Sequence, residues 1–201
     1  MQPITAIQNP SQQPLTYLQK LADCIKTSKN KTLSQWTVEQ LHISPYQHIL
    51  EVGFGLGNTL REVANKLQVG FIAGVDESVA MYQQASKKNK NFLQKELMQL
   101  HVGTVNELPY PSQYFHSIYA TNNYSSWKEP QYKFMQMHSL LKNGGRLVTV
   151  FQPRLAKTEK ELWNAAEKIQ QEYHEAGFVD IRISFRDMNP VNAIAAVGFK
   201  E

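Results

Sequence analysis

From residue 48 onward the chain alternates between two hydrophobic patterns. Short apolar runs occupy residues 48–52, 70–75, 98–102, 116–120 and 145–151, each of strand length. Between them lie stretches with helical spacing: residues 59–67, a segment after Ser78 carrying Val79, Met81, Tyr82 and Ala85, and segments near 129–142 and 158–176. Ser78 is suited to cap the second of these, because a serine hydroxyl accepts a first-turn N–H. Strands alternating with helices predict an α/β fold built on parallel strands with right-handed crossovers. The end of the chain differs. Residues 178–186 and 193–199 both read as strands, and Asp187-Met-Asn-Pro190 between them leaves no room for a helix. The last strand should therefore return antiparallel. The expectation is a three-layer sandwich around a seven-stranded, mostly parallel sheet.

Before residue 45 the pattern is helical. Leu15, Leu18, Leu21, Ala22 and Ile25 recur at helix spacing, as do Leu33, Trp36, Val38, Leu41 and Ile43. A polar lead with Pro3, Pro10 and Pro14 precedes them, Thr27-Ser-Lys-Asn-Lys-Thr32 separates them, and Pro45 closes the second. This divides the chain into an N-terminal helical extension, 1–44, and an α/β domain, 45–201.

Composition narrows the class. The 201 residues are 42% hydrophobic and 19% charged, which suits one folded domain rather than disorder. The net charge of +4 is mild and gives no strong nucleic-acid signal. Cys24 is the only cysteine, so a disulfide within the chain and a cysteine-based zinc site are both excluded. No H-x-E or H-E-x-x-H spacing occurs, and no metal is expected. Neither a secretory leader nor an apolar run of membrane length is visible, so a cytoplasmic location is expected. The run Lys87-Lys88-Asn89-Lys90 reads as a solvated helix end.

The chemistry concentrates after the first strand, at Glu51-Val-Gly-Phe-Gly-Leu-Gly57. A glycine-rich turn between strand and helix lets backbone approach a ligand closely, at the sheet edge where such folds bind ligands. A dinucleotide turn needs G-x-G-x-x-G or G-x-G-x-x-A. Here the third glycine comes one residue early, and Asn58 stands where the small residue is needed. Asp76 ends the next strand, and its carboxylate can accept both hydroxyls of a ribose. That feature serves a nicotinamide cofactor equally well.

The acidic G-x-G-x-G form resembles motif I of class I, Rossmann-like S-adenosylmethionine-dependent methyltransferases. The likeness continues downstream. Gly103-Thr-Val-Asn-Glu-Leu-Pro-Tyr110 is similar to the segment G-D-A-x-x-L-P-F, with Thr104 replacing the aspartate. Tyr114-Phe-His-Ser-Ile118 is similar to S-F-D-x-V, Leu140-Leu-Lys-Asn-Gly-Gly-Arg-Leu-Val148 to L-K-P-G-G-x-L, and His174-Glu-Ala-Gly-Phe178 to E-A-G-F. Leu33-Ser-Gln-Trp-Thr-Val-Glu-Gln-Leu41, with Gly103-Thr-Val, further resembles a small bacterial, methyltransferase-11-like subgroup.

The resemblance implies methyl transfer from S-adenosylmethionine to a small-molecule acceptor. It implies cofactor contacts at Glu51, Gly53, Phe54, Gly55, Gly57, Asn58, Asp76, Glu77, Met81, Thr104, Val105, Thr121 and Asn122. Val105 would meet adenine through its backbone, and the Thr104 hydroxyl would stand in for the missing aspartate. N-terminal helices of this class often cover the cofactor, which makes the extension a lid and Trp36 a candidate substrate residue. After the fourth strand, Thr121-Asn-Asn-Tyr-Ser-Ser-Trp127 supplies Asn123, Tyr124 and Trp127 as the other candidates. Asn122, Asn123 and Tyr124 bear a faint likeness to the N-P-P-Y loop of amino-group methyltransferases, without its prolines. They also suit a turn in which the asparagines cap and the tyrosine packs. No catalytic base is assigned. A non-catalytic cofactor-binding module and a nicotinamide-dependent oxidoreductase remain as alternatives.

Overall fold

Apolar runs of five or more residues, spaced by helices, pair into one sheet of order β3-β2-β1-β4-β5-β7-β6. In a computed structural model, described over residues 31–201, the strands are β1 (His48–Val52), β2 (Phe71–Asp76), β3 (Met98–Val102), β4 (Phe115–Thr121), β5 (Leu141–Phe151), β6 (Val179–Arg186) and β7 (Ala193–Phe199). The pairs β1–β2, β2–β3, β1–β4 and β4–β5 are parallel. β7 inserts antiparallel between β5 and β6, as the short link at residues 187–190 requires. The helical pattern at residues 15–25, with Tyr17 and Cys24, lies outside the described residues.

The helices are α1 (Lys31–Leu41), α2 (Asn58–Ala64), α3 (Val79–Lys88), α4 (Lys90–Gln94), α5 (Pro130–Leu140) and α6 (Glu159–Glu175). Chain direction assigns them to layers. From β1 the sheet grows first toward β2 and β3, then from β4 toward β5. Right-handed crossovers then set α2 and α3 on one face and α5 on the other. Side chains agree. Tyr173 of α6 donates to Thr149 of β5 at 2.8 Å, whereas Thr121 of β4 donates to Thr37 of α1 at 3.3 Å. The α5–α6 layer buries Phe134, Tyr173 and Phe178. The α1–α2 layer buries Leu33, Leu41, Leu60 and Val63. α1 packs in the same body as the sheet, and Thr59 of α2 donates to Ser34 of α1 at 3.0 Å.

Two boundaries differ from the apolar pattern. Helical spacing runs to residue 67, yet α2 ends at Ala64. Leu67 is buried without being helical; its N–H bonds to Ala64 in a tight turn before Gly70. Likewise α5 stops at Leu140, and Leu141 already pairs with Phe115 of β4. In both places burial continues past the last helical turn, so the apolar period overshoots. Ser78 caps α3 as expected, accepting the Met81 N–H at 3.3 Å.

At the amino ends of the strands, opposite the glycine turn, two imidazoles meet. The rings of His48 and His116 meet edge-on at 5.6 Å; the backbone N–H of His48 donates to His116 Nδ1 at 3.0 Å, and Lys142 Nζ stands 3.2 Å from His116 Nε2. Tyr114 packs against the His48 ring at 4.8 Å. Burial, and then the Lys142 charge, lower the pKa of both histidines below the ordinary value of 6.5. Below that value the unfolded chain binds protons that the folded chain resists, so stability falls as pH drops. Relative to a His116→Gln variant, the wild type should therefore lose thermal stability on acidification below about pH 6.5. The comparison isolates His116, because His48, His101 and His138, shifted the same way, and Glu51 and Glu172, whose raised carboxyls act in the opposite sense, are common to both proteins. Parallel curves of midpoint against pH would remove His116 from this role.

Candidate functional site

At the carboxyl edge, β1 hands over to the glycine turn by one extra ladder bond, from the Gly53 N–H to the Val75 carbonyl at 2.7 Å. Gly53 then takes φ +76°, a left-handed conformation. A Cβ at Gly53 would come 1.8 Å from Asn123 Nδ2, which donates to the Val52 carbonyl. The β4 loop can approach β1 this closely only because residue 53 has no side chain. Gly57, at φ +70°, is the N-cap of α2. Its Cβ would meet Asn89 Nδ2 at 2.7 Å and Ala85 at 2.9 Å. Asn89 is buried and donates to the Gly57 carbonyl at 3.1 Å. The glycine spacing thus serves the packing of α3 and the β4 loop as well as a ligand.

Two carboxyl groups flank this turn in different environments. Asp76 is partly exposed. Its Oδ2 accepts the Gly55 N–H at 2.8 Å and its Oδ1 accepts the Ser78 N–H at 2.9 Å. These two bonds fix the orientation of its carboxylate beside the turn. Glu51 is 2% exposed. It accepts the Tyr119 hydroxyl at 2.9 Å and the backbone N–H of Leu60. Burial pushes its carboxyl well above the usual carboxylate range, and the charges of Asp76 and Glu62 add to the effect. Tyr119 is raised for the same reason, burial first and then the Glu51 charge. Glu51 is enclosed beneath the turn, where it braces β1, β4 and α2.

The remaining candidates divide into groups. Phe54 is buried over Gly74 of β2, and Met81 is buried in α3. Val105 belongs to the core. Thr104 is bound locally: its N–H and its hydroxyl both donate to Glu107 Oε2, at 2.7 and 2.9 Å. Asn58 accepts from Lys88 Nζ. Glu77 pairs with Lys133 at 3.0 Å. Asn122, at φ +57°, accepts the Gln152 N–H at 3.2 Å. Asn123 heads a 3-10 turn, Tyr124–Ser126, without capping it through its side chain.

The aromatic candidates differ in exposure and in what they pack against. Tyr124 packs 4.7 Å from Phe151 and stacks on Phe134, and its hydroxyl donates to Glu172 at 2.6 Å. It packs, as the alternative reading of the loop held. Trp36 is 3% exposed, covered by the Arg186 guanidinium 4.9 Å from its ring. Trp127 is half-buried against Phe134. Tyr119 and Lys133 were not singled out by sequence, and Asn89, read there as part of a solvated helix end, is instead buried against the Gly57 carbonyl. Glu107 carried a signal, since Thr-x-x-Glu is a capping pattern.

Two open surface clefts, of about 500 and 510 Å³, lie away from this edge. One is at the start of β6, and the other runs between α5 and α6. Among the described residues no group of three or more His, Cys, Asp or Glu could hold a metal ion. None of their helices is long and apolar enough to cross a membrane.

A parallel sheet with an antiparallel β7, a glycine turn after β1 and an acid closing β2 define the Rossmann-like class I S-adenosylmethionine-dependent methyltransferases, and the chain belongs to that family. A family model described as "Methyltransferase domain" matches residues 49–145. The chain is 30% identical to an uncharacterized methyltransferase, YdaC, of Bacillus subtilis, over 90% of this chain and 98% of that protein. Among solved structures, a methyltransferase from Aquifex aeolicus superposes with TM-score 0.70 at 15% identity, covering 89% of this chain and 98% of that one. A Haemonchus contortus phosphoethanolamine N-methyltransferase, in complex with phosphomonomethylethanolamine and S-adenosylhomocysteine, gives TM-score 0.69 at 14% identity. It covers 85% of this chain and 52% of that one. Family membership sets aside the nicotinamide reading.

The close approach at Gly53 yields a direct expectation. Gly53→Ala should destabilise the fold by about 1–2 kcal/mol for the left-handed residue alone, with a further loss from the collision with Asn123. Adding Asn123→Ala should recover the second part and leave the first. Urea unfolding of the two single variants and the double variant measures this; strictly additive losses would mean that the two residues do not collide.

Proposed function

We propose that the carboxyl edge binds S-adenosylmethionine across β1 and β2 and presents its methyl group to a small-molecule acceptor on the β4 side. The observation that carries the reading is Asp76. Two backbone N–H groups orient its carboxylate beside the glycine turn at the end of β2, and a carboxylate there suits the paired hydroxyls of a ribose. Glycines 53, 55 and 57 would admit the amino-acid end of the cofactor, and Met81, Thr104 and Val105 would border adenine. Thr121, Asn122 and Asn123 would line the path to the acceptor. Bound there, the cofactor supplies an electrophilic methyl group on sulfonium. The residues of the chain orient and desolvate the two partners, which is the main protein contribution to such an in-line transfer. Thr121, Asn122 and Asn123 are neutral groups suited to orientation, and the reading assigns no general base.

A small acceptor is supported by the mild net charge and by the phosphomonomethylethanolamine bound in the Haemonchus enzyme. Isothermal titration should show S-adenosylmethionine or S-adenosylhomocysteine binding in preference to NAD. Asp76→Ala should weaken that binding by about 1–3 kcal/mol, the scale of lost hydrogen bonds to a charged group; unchanged affinity would take Asp76 out of the ribose role. Incubation with the cofactor and panels of phenols, amines, acids and quinone precursors, followed by mass spectrometry, should yield a methylated small molecule. Methylation confined to added nucleic acid or protein would overturn the acceptor class.

A further inference from the structure

A chain of hydroxyl groups connects α1 to the carboxyl end of β4. Thr37 is fully buried on α1. Its hydroxyl donates to the Leu33 carbonyl, one turn back along the same helix, at 3.0 Å. A carbonyl can only accept, so the single hydroxyl proton of Thr37 is committed there. Toward β4 the Thr37 oxygen then has only lone pairs to offer. Thr121, the last residue of β4, donates its own proton to that oxygen at 3.3 Å. The order of donors is thus set from the helix outward, and the partly exposed Thr121 hydroxyl is left with lone pairs alone. A second contact holds α1 beside this edge, from the Thr59 hydroxyl of α2 to Ser34 at 3.0 Å.

We propose that Thr37 is a positioning residue: by taking the proton of Thr121 it makes that hydroxyl an acceptor, which receives the α-ammonium of the cofactor. This role rests on the reading that the glycine turn admits the cofactor's amino-acid end. Glu51 pairs with Tyr119 across β1 and β4, so two residues further on Gly53 and Thr121 leave the sheet side by side. The Thr121 side chain turns toward α1, and α1 packs with α2, the helix into which the glycine turn leads. An amino-acid end carries an ammonium, which only donates, and a carboxylate, which only accepts. A hydroxyl free to rotate would serve either group. One whose proton is already engaged suits the ammonium and disfavours the carboxylate. Burial alone does not call for the link, because the Thr37 hydroxyl is already satisfied within its own helix. At 3.3 Å the link is long for two hydroxyls, so it sets direction more than it adds stability.

Isothermal titration with S-adenosylhomocysteine, and with an analogue bearing hydrogen in place of its α-amino group, tests this. The wild type should bind the parent compound more tightly. Thr37→Val keeps the branched shape of the side chain and removes its hydroxyl. It should weaken the parent by about three- to ten-fold, the scale of one hydrogen bond, and leave the deaminated analogue unchanged. Thr37→Ala, smaller and equally without a hydroxyl, should separate the two ligands in the same way, and Thr37→Ser should restore the parent's affinity. Thr121→Val should weaken the parent at least as much, and adding Thr37→Val to it should cost nothing more. Equal weakening of both ligands would make Thr37 a structural residue only. Unchanged affinities, or a serine that fails to restore binding, would overturn the positioning role. A wild type that binds the two ligands equally removes the ammonium contact alone. A wild type that binds neither removes the cofactor reading as well.

Discussion

The carboxyl of Glu51 joins three elements at once. It stands on β1, accepts the hydroxyl of Tyr119 on β4, and accepts a first-turn N–H of α2 from Leu60. α2 begins at a glycine N-cap with no side-chain acceptor of its own, and the first N–H groups of any helix lack partners within it. Glu51 supplies one from the strand below. Burying a charge without a counter-charge is costly, and burial pushes this carboxyl toward its neutral form. Taking it away would strand a phenol hydroxyl and a backbone N–H in a dry interior, each at about 1–3 kcal/mol. The strand–turn–helix unit that carries the glycines is closed by this group.

With the turn braced from beneath, neighbouring strands can be brought to it from either side. From β2, Asp76 reaches over to the Gly55 N–H while holding Ser78, which caps α3. One carboxylate thereby sets the height of the turn and the start of the next helix. From β4, Asn123 reaches the end of β1 over the bare Cα of Gly53. Groups fixed in this way need little rearrangement to receive a ligand, and that lowers the ordering cost of binding.

Much of this was legible in the sequence because it is local. Strand runs, the missing helix at residues 187–190, the early third glycine and Asp76 all lie within a few residues of the feature they decide. Partners across the sheet were not. Tyr119 is 68 residues from Glu51, and Asn123 is 71 from Val52. No periodicity links such positions; only the strand order brings them together. Thr104 shows the converse. Its Thr-x-x-Glu pattern announced the bond to Glu107, although the family likeness drew attention to adenine. Trp36 was legible as an aromatic on a helix, but its cover, Arg186, comes from the far end of the sheet.

The interactions on this edge also sort by strength. Those beneath the turn, at Glu51 and Asn89, are buried, and breaking them strands polar groups away from water. The Glu77–Lys133 pair is exposed, and such a pair typically contributes about 0–1 kcal/mol. The shape of the turn therefore depends on the buried hydrogen bonds beneath it and on the glycines that let neighbouring elements close in, not on the ion pair at the surface.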